Sequence, residues 1–395
     1  MDIRQTIRRQ TLADIELQAQ RVAAMMGQIR SAMLPPSAAK SAPTLSAAQL
    51  AELCQVDKAK INYRLTRGDL PSGELHGNRR EWSMADALHW VRAFRGSHLR
   101  PTSAAGITIT VANFKGGVAK TTTAVTLAQG LAMRGHRVLI LDLDPQGSAT
   151  TLFGVLPDAE VSEEHTAAPL FAGDEEDLRY AIRSTYWPGI DLVCAAPLLF
   201  GSEFALPARQ SRDPGFEFWR VLDRGLDPVR ESHDVIIIDT PPALSYVTIN
   251  ALMAADGVLM PLPPSALDFA SSAQFWDLFS DLSNQLVRAR GSDKTYEFID
   301  VLLSRVEAND AASSVVRQWV LEGYGDKVLP IEIPKTAVAA ASSAEFGTVY
   351  DVTRGAMNTR TLNRARDAYD RMCALVEQQI EAVWAGQVAS LEGVK

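Results

Sequence analysis

One contiguous stretch constrains what this chain can fold into more than any other. An alternating β-branched run, Ile107-Thr-Ile-Thr-Val111, leads into a glycine-bearing loop, Lys115-Gly-Gly-Val-Ala-Lys-Thr-Thr122, and then into apolar residues at helical spacing. Alternation is the period of a strand, while Ala124, Leu127, Ala128 and Leu131 keep the period of a helix that Gly135 ends. A loop that enters a helix presents free backbone N–H groups and the positive end of the helix dipole, which together favour an anion. Gly116 and Gly117 let the backbone close around phosphate oxygens, Lys120 brings a point charge, and the Thr121 hydroxyl suits Mg²⁺. Val118, Ala119 and Thr122 complete the cradle. The strict G-x-x-x-x-G-K-[ST] pattern fails, because Phe114 and Ala119 stand where its glycines belong, and a second lysine, Lys115, heads the loop.

Two further apolar runs end in carboxylates. Val138-Leu-Ile-Leu-Asp-Leu-Asp144 follows the helix at once, and Asp234-Val-Ile-Ile-Ile-Asp-Thr-Pro-Pro242 comes far downstream. The order strand, short helix, strand implies a parallel sheet, whose ligands bind at the carboxyl ends of its strands. Each of Asp142, Asp144 and Asp239 read singly is also a plausible helix cap. Together, and in order with a two-lysine loop, they read as a metal–phosphate site.

The loop resembles the deviant Walker A motif of the ParA/MinD superfamily of ATPases. Leu143-Asp-Pro-Gln-Gly-Ser-Ala-Thr150 resembles the D-P-Q-G-N-A-T stretch of ParA-type DNA partition ATPases, and the likeness covers roughly residues 106 to 350. It implies a P-loop NTPase fold, ATP and Mg²⁺ as ligands, and a homodimer with nucleotide between the subunits. Residues 115–122 would hold ATP, with Lys115 reaching the partner's nucleotide. Lys120 and Asp144 join Lys115 as the catalytic set, Asp144 positioning the attacking water. Thr121, Asp142 and Asp239 would serve the metal, Asp239 as the Walker B carboxylate. Asn113 matches the asparagine that often precedes the loop. Ala119 departs from the commoner glycine, as in longer plasmid-type members, and little matches between Ala159 and Gly189.

Composition excludes other classes. No apolar run is long enough for a bilayer, and the N-terminus has no signal-peptide core, which points to a cytoplasmic protein. Cys54, Cys194 and Cys373 have no metal or redox spacing. The net charge of −8 is uneven: residues 1–105 hold 15 Lys+Arg against 9 Asp+Glu, a charge of +6, and the remainder carries −14. A basic third on an acidic body suits nucleic acid, or packs against that body.

The sequence divides into an N-terminal helix over 1–36 suited to dimerisation, a linker over 37–45, a winged helix-turn-helix over 46–100 and an ATPase domain over 106–395. The first segment carries Ile3, Ile7, Leu12, Ile15, Leu17, Val22, Met25, Met26 and Ile29 as a stripe, and Pro35-Pro36 stops it. Ser46 caps the next module, Leu50 and Leu53 face inward, and the turn Gln55-Val56-Asp57 leads to a second helix with Ile61 and Leu65. That helix offers Lys58, Lys60, Asn62, Tyr63, Arg64 and Arg67 to base edges and phosphates. A hairpin wing with Arg79 and Arg80 at its base follows, then a helix capped by Ser83 with Ala87, Trp90 and Phe94. The module resembles the winged helix of MerR-like regulators. Late in the chain Arg354, Arg360, Arg364, Arg366 and Arg371 form a basic run, read as a non-specific DNA patch or a solvated face. The last helix places Glu377 and Glu381 on its polar side, the opposite of a basic membrane-docking helix.

The resemblance implies ATP-dependent partition of plasmid or chromosomal DNA. The dimer would bind DNA without sequence preference, associate with the nucleoid, and be stimulated by a ParB-type centromere-binding protein. The N-terminal module would bind operator DNA and repress the operon. The rival readings are a transcription repressor that uses nucleotide only as a ligand, and a MinD-like positioning ATPase on membrane.

Overall fold

The computed structural model describes residues 10–33, 40–307, 310–335, 347–351 and 359–393. Residues up to Ser41 and residues from Ala42 onward are separate compact units. The first holds one helix, α1 (Leu12–Met33), on which Leu12, Ile15, Val22 and Met25 are exposed. Ile3, Ile7, Pro35-Pro36 and the side chains of Met26 and Ile29 lie outside the described residues, as does Arg354.

The second unit opens with β1 (Leu45–Ser46), α2 (Ala47–Leu53), α3 (Lys58–Arg67), β2 (Glu74–His76), β3 (Arg79–Trp82) and α4 (Met84–Phe94). Ser46 and Gln49 close a reciprocal capping box on α2, and Gly68 ends α3 in the left-handed region. Leu50, Ile61, Ala87 and Trp90 are fully buried. The indole N–H groups of Trp82 and Trp90 both donate to the Pro71 carbonyl, at 3.1 and 2.9 Å. In the β2–β3 hairpin His76 pairs with Arg79 across the turn Gly77-Asn78. A two-residue turn therefore puts Arg79 at the tip of the hairpin with Arg80 beside it, not at its base.

The remaining strands are β4 (Ile107–Val111), β5 (Val138–Asp142), β6 (Arg183–Ser184), β7 (Ile190–Val193), β8 (Val235–Asp239), β9 (Gly257–Leu262), β10 (Phe298–Val306) and β11 (Val328–Pro334). They form one sheet in the order β11-β10-β9-β4-β8-β5-β7-β6, parallel except for the short β6. The helices are α5 (Lys120–Met133), α6 (Ser148–Leu152), α7 (Ala168–Ala172), α8 (Ser202–Arg212), α9 (Val221–Leu226), α10 (Val229–Ser232), α11 (Tyr246–Ala254), α12 (Ala266–Leu286), α13 (Ala311–Tyr324) and α14 (Thr359–Gly393).

Strand alternation sorts the core into two layers. Ile107, Ile109, Val138, Ile140, Val235 and Ile237 pack with α5, α14 and the tryptophans of the N-terminal module. Leu139, Leu141, Ile236 and Ile238 pack with α8, α9, α11 and α12. Each such residue contributes about 1.5–3 kcal/mol by leaving water. The result is a P-loop NTPase fold with helices on both faces of a mostly parallel sheet.

Near the far end of α5 a charged joint ties three elements together. Glu377 of α14 meets Arg95 at 2.8 Å, Arg134 at 3.2 Å and His136 at 2.7 Å. Burial would raise this carboxyl, but the bonds and charges of His136 and Arg95 prevail and hold it down at about 2. Glu377 is thus buried and faces inward, contrary to its expected place on a polar side. Glu381 pairs with His98 at 2.9 Å. Neither supports the argument from an acidic surface, although no described helix is long and apolar enough to cross a membrane. Cys54, Cys194 and Cys373 are free and buried.

Candidate active site

The loop after β4 is held from several sides. Asn113 receives the Lys115 N–H at 3.1 Å and donates to the Pro261 carbonyl of β9 at 2.9 Å. Gly117 has φ +76°, and a side chain on Gly116 would meet only Pro242, at 3.9 Å, so the glycines leave an open cradle. Ala119, the cap of α5, also sits in the left-handed region at φ 76°. Glycine takes this conformation freely, whereas alanine carries about 1–2 kcal/mol of strain there, which accounts physically for glycine being the commoner residue. Lys120 is buried and donates to the Lys115 carbonyl at 3.0 Å. Burial lowers its pKa, opposed by the charges of Asp239 and Asp144.

The carboxylates converge because β5 and β8 are neighbours in register, with Asp142 opposite Asp239. Asp142 is fully buried and accepts 2.8 Å bonds from the backbone N–H and the hydroxyl of Thr150. Burial nevertheless pushes it up to about 7. Asp239 is fully buried too, and neither of its oxygens has a well-formed hydrogen bond. Burial first, and then the charge of Asp142, raise it well above the carboxylate range, with the Thr121 hydroxyl and Lys120 opposing. Asp144 is half-buried, and one of its oxygens accepts the Gln146 N–H at 3.0 Å. Orphaned, buried carboxylate oxygens beside a hydroxyl and an anion cradle fit a hard divalent cation with phosphate. Among the described residues no cluster of three or more His, Cys, Asp and Glu is preassembled for a metal.

Lys115 is not free in the single chain. Its ammonium pairs with Asp268 at 2.8 Å, and Asp268 is itself part of the Ser265 cap that starts α12. The pair places Asp268, in the run Leu267-Asp-Phe-Ala-Ser271 at the start of α12, beside the loop. The end of β10 braces the loop as well: Ser304 donates to the Val118 carbonyl at 3.0 Å, and Arg305 donates to the Gly117 carbonyl. No local sequence signal marks either residue.

The residues proposed for DNA separate. On α3, Lys58, Lys60, Asn62, Tyr63 and Arg67 are exposed, Lys60 with its ammonium also 5.3 Å over the Phe94 ring, whereas Arg64 is half-buried over the same ring at 5.4 Å. Arg64 also pairs with Asp69 at 2.7 Å. Arg80 donates to the Ser72 carbonyl at 2.6 Å, and Arg79 is exposed. On α14, Arg360, Arg364 and Arg371 are exposed, but Arg366 is half-buried and donates to the Val349 carbonyl at 3.0 Å. Two residues along a helix is a turn of about 200°, so Arg366 cannot share a face with Arg364 and the basic run does not form one patch.

Residues 106–289 match the family profile described as an AAA domain. The chain is 31% identical over 369 residues to the "Putative replication protein A" of Rhizobium rhizogenes, covering 89% of this chain and 90% of the relative. It is 32% identical over 244 residues to the "Chromosome partitioning protein ParA" of Caulobacter vibrioides, covering 60% of this chain and 84% of that one. Among solved structures, a "Partition Protein" superposes with a TM-score of 0.66 at 21% identity, over 95% of this chain and 99% of its own. Cobyrinic acid a,c-diamide synthase from Mycobacterium smegmatis, with bound ATP analog and magnesium, superposes at 0.52 with 29% identity, over 68% of this chain and 93% of its own.

Proposed function

The chain belongs to the family of ParA-type partition ATPases, and from that membership we propose that it hydrolyses ATP to drive the partition of plasmid or chromosomal DNA. The observation that carries this reading is the convergence of Lys120, Thr121, Asp142, Asp144 and Asp239 at the carboxyl ends of β4, β5 and β8, with the oxygens of Asp239 unpaired. The N–H groups of the loop and Lys120 bind the phosphates. Thr121 and Asp239, backed by Asp142, would hold magnesium, which would supply neutralisation of the phosphate charge. Asp144 orients water for attack on the terminal phosphorus, whose bond to the bridging oxygen breaks to give ADP and phosphate.

Lys115 exchanges Asp268 for the phosphates of a second subunit, so ATP binding and dimerisation are coupled. The exposed stripe of α1 adds a second dimer contact. Residues 46–100 serve as a winged helix for operator DNA through Lys58, Lys60, Asn62, Arg67 and Arg79, and so repress the operon. Arg360, Arg364 and Arg371 give salt-sensitive, non-specific binding to nucleoid DNA. A ParB-type centromere-binding protein stimulates turnover.

The test is Asp144→Ala. With the loop and both lysines intact, this variant should bind ATP, sediment as a dimer and remain on DNA without responding to the ParB-type partner, while wild type with ADP stays monomeric. A monomeric variant, or one that hydrolyses at the wild-type rate, removes the catalytic role from Asp144.

A further inference from the structure

The pairing of β10 with β11 slips next to the loop. Leu303 lies opposite Glu332 and Val306 opposite Pro334, so β10 carries one residue more than its partner between these points. Within this bulge Arg305 takes φ +54°, the left-handed region. Non-glycine residues hold that conformation at a cost on the order of 1–3 kcal/mol, and bulges re-aim side chains beside active sites. Here the bulge sends two consecutive residues to two consecutive loop carbonyls: Ser304 to Val118, and Arg305 to Gly117.

In a trans peptide the N–H points opposite to the C=O of the same unit. Fixing the Gly117 and Val118 carbonyls toward β10 therefore turns the N–H groups of Val118 and Ala119 to the other side of the chain. Lys120 follows directly, at the start of α5. We propose that Ser304 and Arg305 form a clasp that pre-organises the phosphate loop, with Arg305 as a positioning residue for nucleotide binding. This inference rests on the reading of residues 115–122 as the ATP site. The strain at Arg305 is then held for a purpose: it sets the anion-binding N–H groups before nucleotide arrives, so that less ordering is left to the binding step.

Arg305→Gly tests the clasp, because glycine relieves the left-handed strain while removing the guanidinium. Affinity for a fluorescent ATP analogue with Mg²⁺ should fall about tenfold, the equivalent of one charge-assisted hydrogen bond. The melting temperature of the nucleotide-free protein should hold or rise, and Arg305→Lys should recover part of the affinity. Unchanged affinity in Arg305→Gly overturns the clasp, and so does a loss that only follows a fall in melting temperature. Lys120→Ala, measured alongside, separates the two levels. If it keeps its affinity, the site reading fails; if it loses affinity while Arg305→Gly does not, only the clasp fails.

Discussion

Helix α5 has a buried charge cluster near each end, and the two are built in opposite ways. At its start Asp239 is fully buried with neither oxygen in a well-formed hydrogen bond, and its like-charged neighbour Asp142 is pushed up to about 7. Beyond its end Glu377 is equally hidden but has Arg95, Arg134 and His136 within 3.2 Å, and lies at about 2. Equal burial with opposite shifts shows what depth alone does not decide. A buried carboxylate bonded directly to several cations is a joint, whereas Asp239, with only the charge of Lys120 nearby and a like-charged neighbour, has room for a further cation. In the proposed function the first end serves a ligand; the second fixes the N-terminal module and α14 to α5.

The comparison breaks most visibly at Lys120. Lys120→Ala should lower Mg·ATP affinity by about a hundredfold or more, the scale of losing one partner of a desolvated charge contact, with little change in folding. Retained affinity in a nucleotide titration would mean that the start of α5 is no phosphate site.

Glu377→Ala should do the reverse. It leaves Arg95 and Arg134 buried without their counter-charge, a cost of about 3–5 kcal/mol by urea denaturation, while nucleotide affinity of the folded fraction is kept. Equal damage to both properties would erase the distinction between the two ends.

The pH dependence sharpens it further. Glu377 is lowered in the folded state, so its contribution is complete above the unfolded value of about 4.3 and is lost as pH falls toward about 2. Asp142 is raised, so its contribution is complete below the unfolded value of about 3.9 and is lost as pH climbs toward about 7. Nucleotide-free protein should therefore lose stability on both sides of mildly acidic pH, the neutral side recovering with Mg·ATP and the acid side not. A neutral limb indifferent to Mg·ATP would count against the ligand-binding end.

The smallest effect belongs to the Lys115–Asp268 pair. Asp268→Asn frees the lysine and should tighten ATP-dependent dimerisation about two- to fivefold by analytical ultracentrifugation, the range of a partly exposed ion pair. Weaker dimerisation would show that Asp268 supports the lysine rather than restraining it.

What the sequence revealed follows the range of the interactions. The strand, loop and helix around Lys115 to Thr122, and the carboxylates at the ends of β5 and β8, are written in contiguous residues, and local alternation suffices to read them. Glu377 misled because its charge fitted a polar stripe of α14, while Arg95 and His136, which draw it inward, lie hundreds of residues away. Arg305 stayed silent because its aim comes from the register of β10 on β11. Arg79 lies at the tip of its hairpin and not at the base because of turn length, and Arg366 leaves the face of Arg364 because of helical phase.

Thermal unfolding of Asp239→Asn at neutral pH, with and without Mg·ATP, tests the difference between the two ends most directly. If Asp239 is a carboxylate kept unpaired for the magnesium of ATP, the nucleotide-free variant melts at or above wild type, and Mg·ATP, which raises the wild-type transition, leaves the variant where it was. A variant that melts well below wild type, or that gains as much from Mg·ATP as wild type does, would contradict the account.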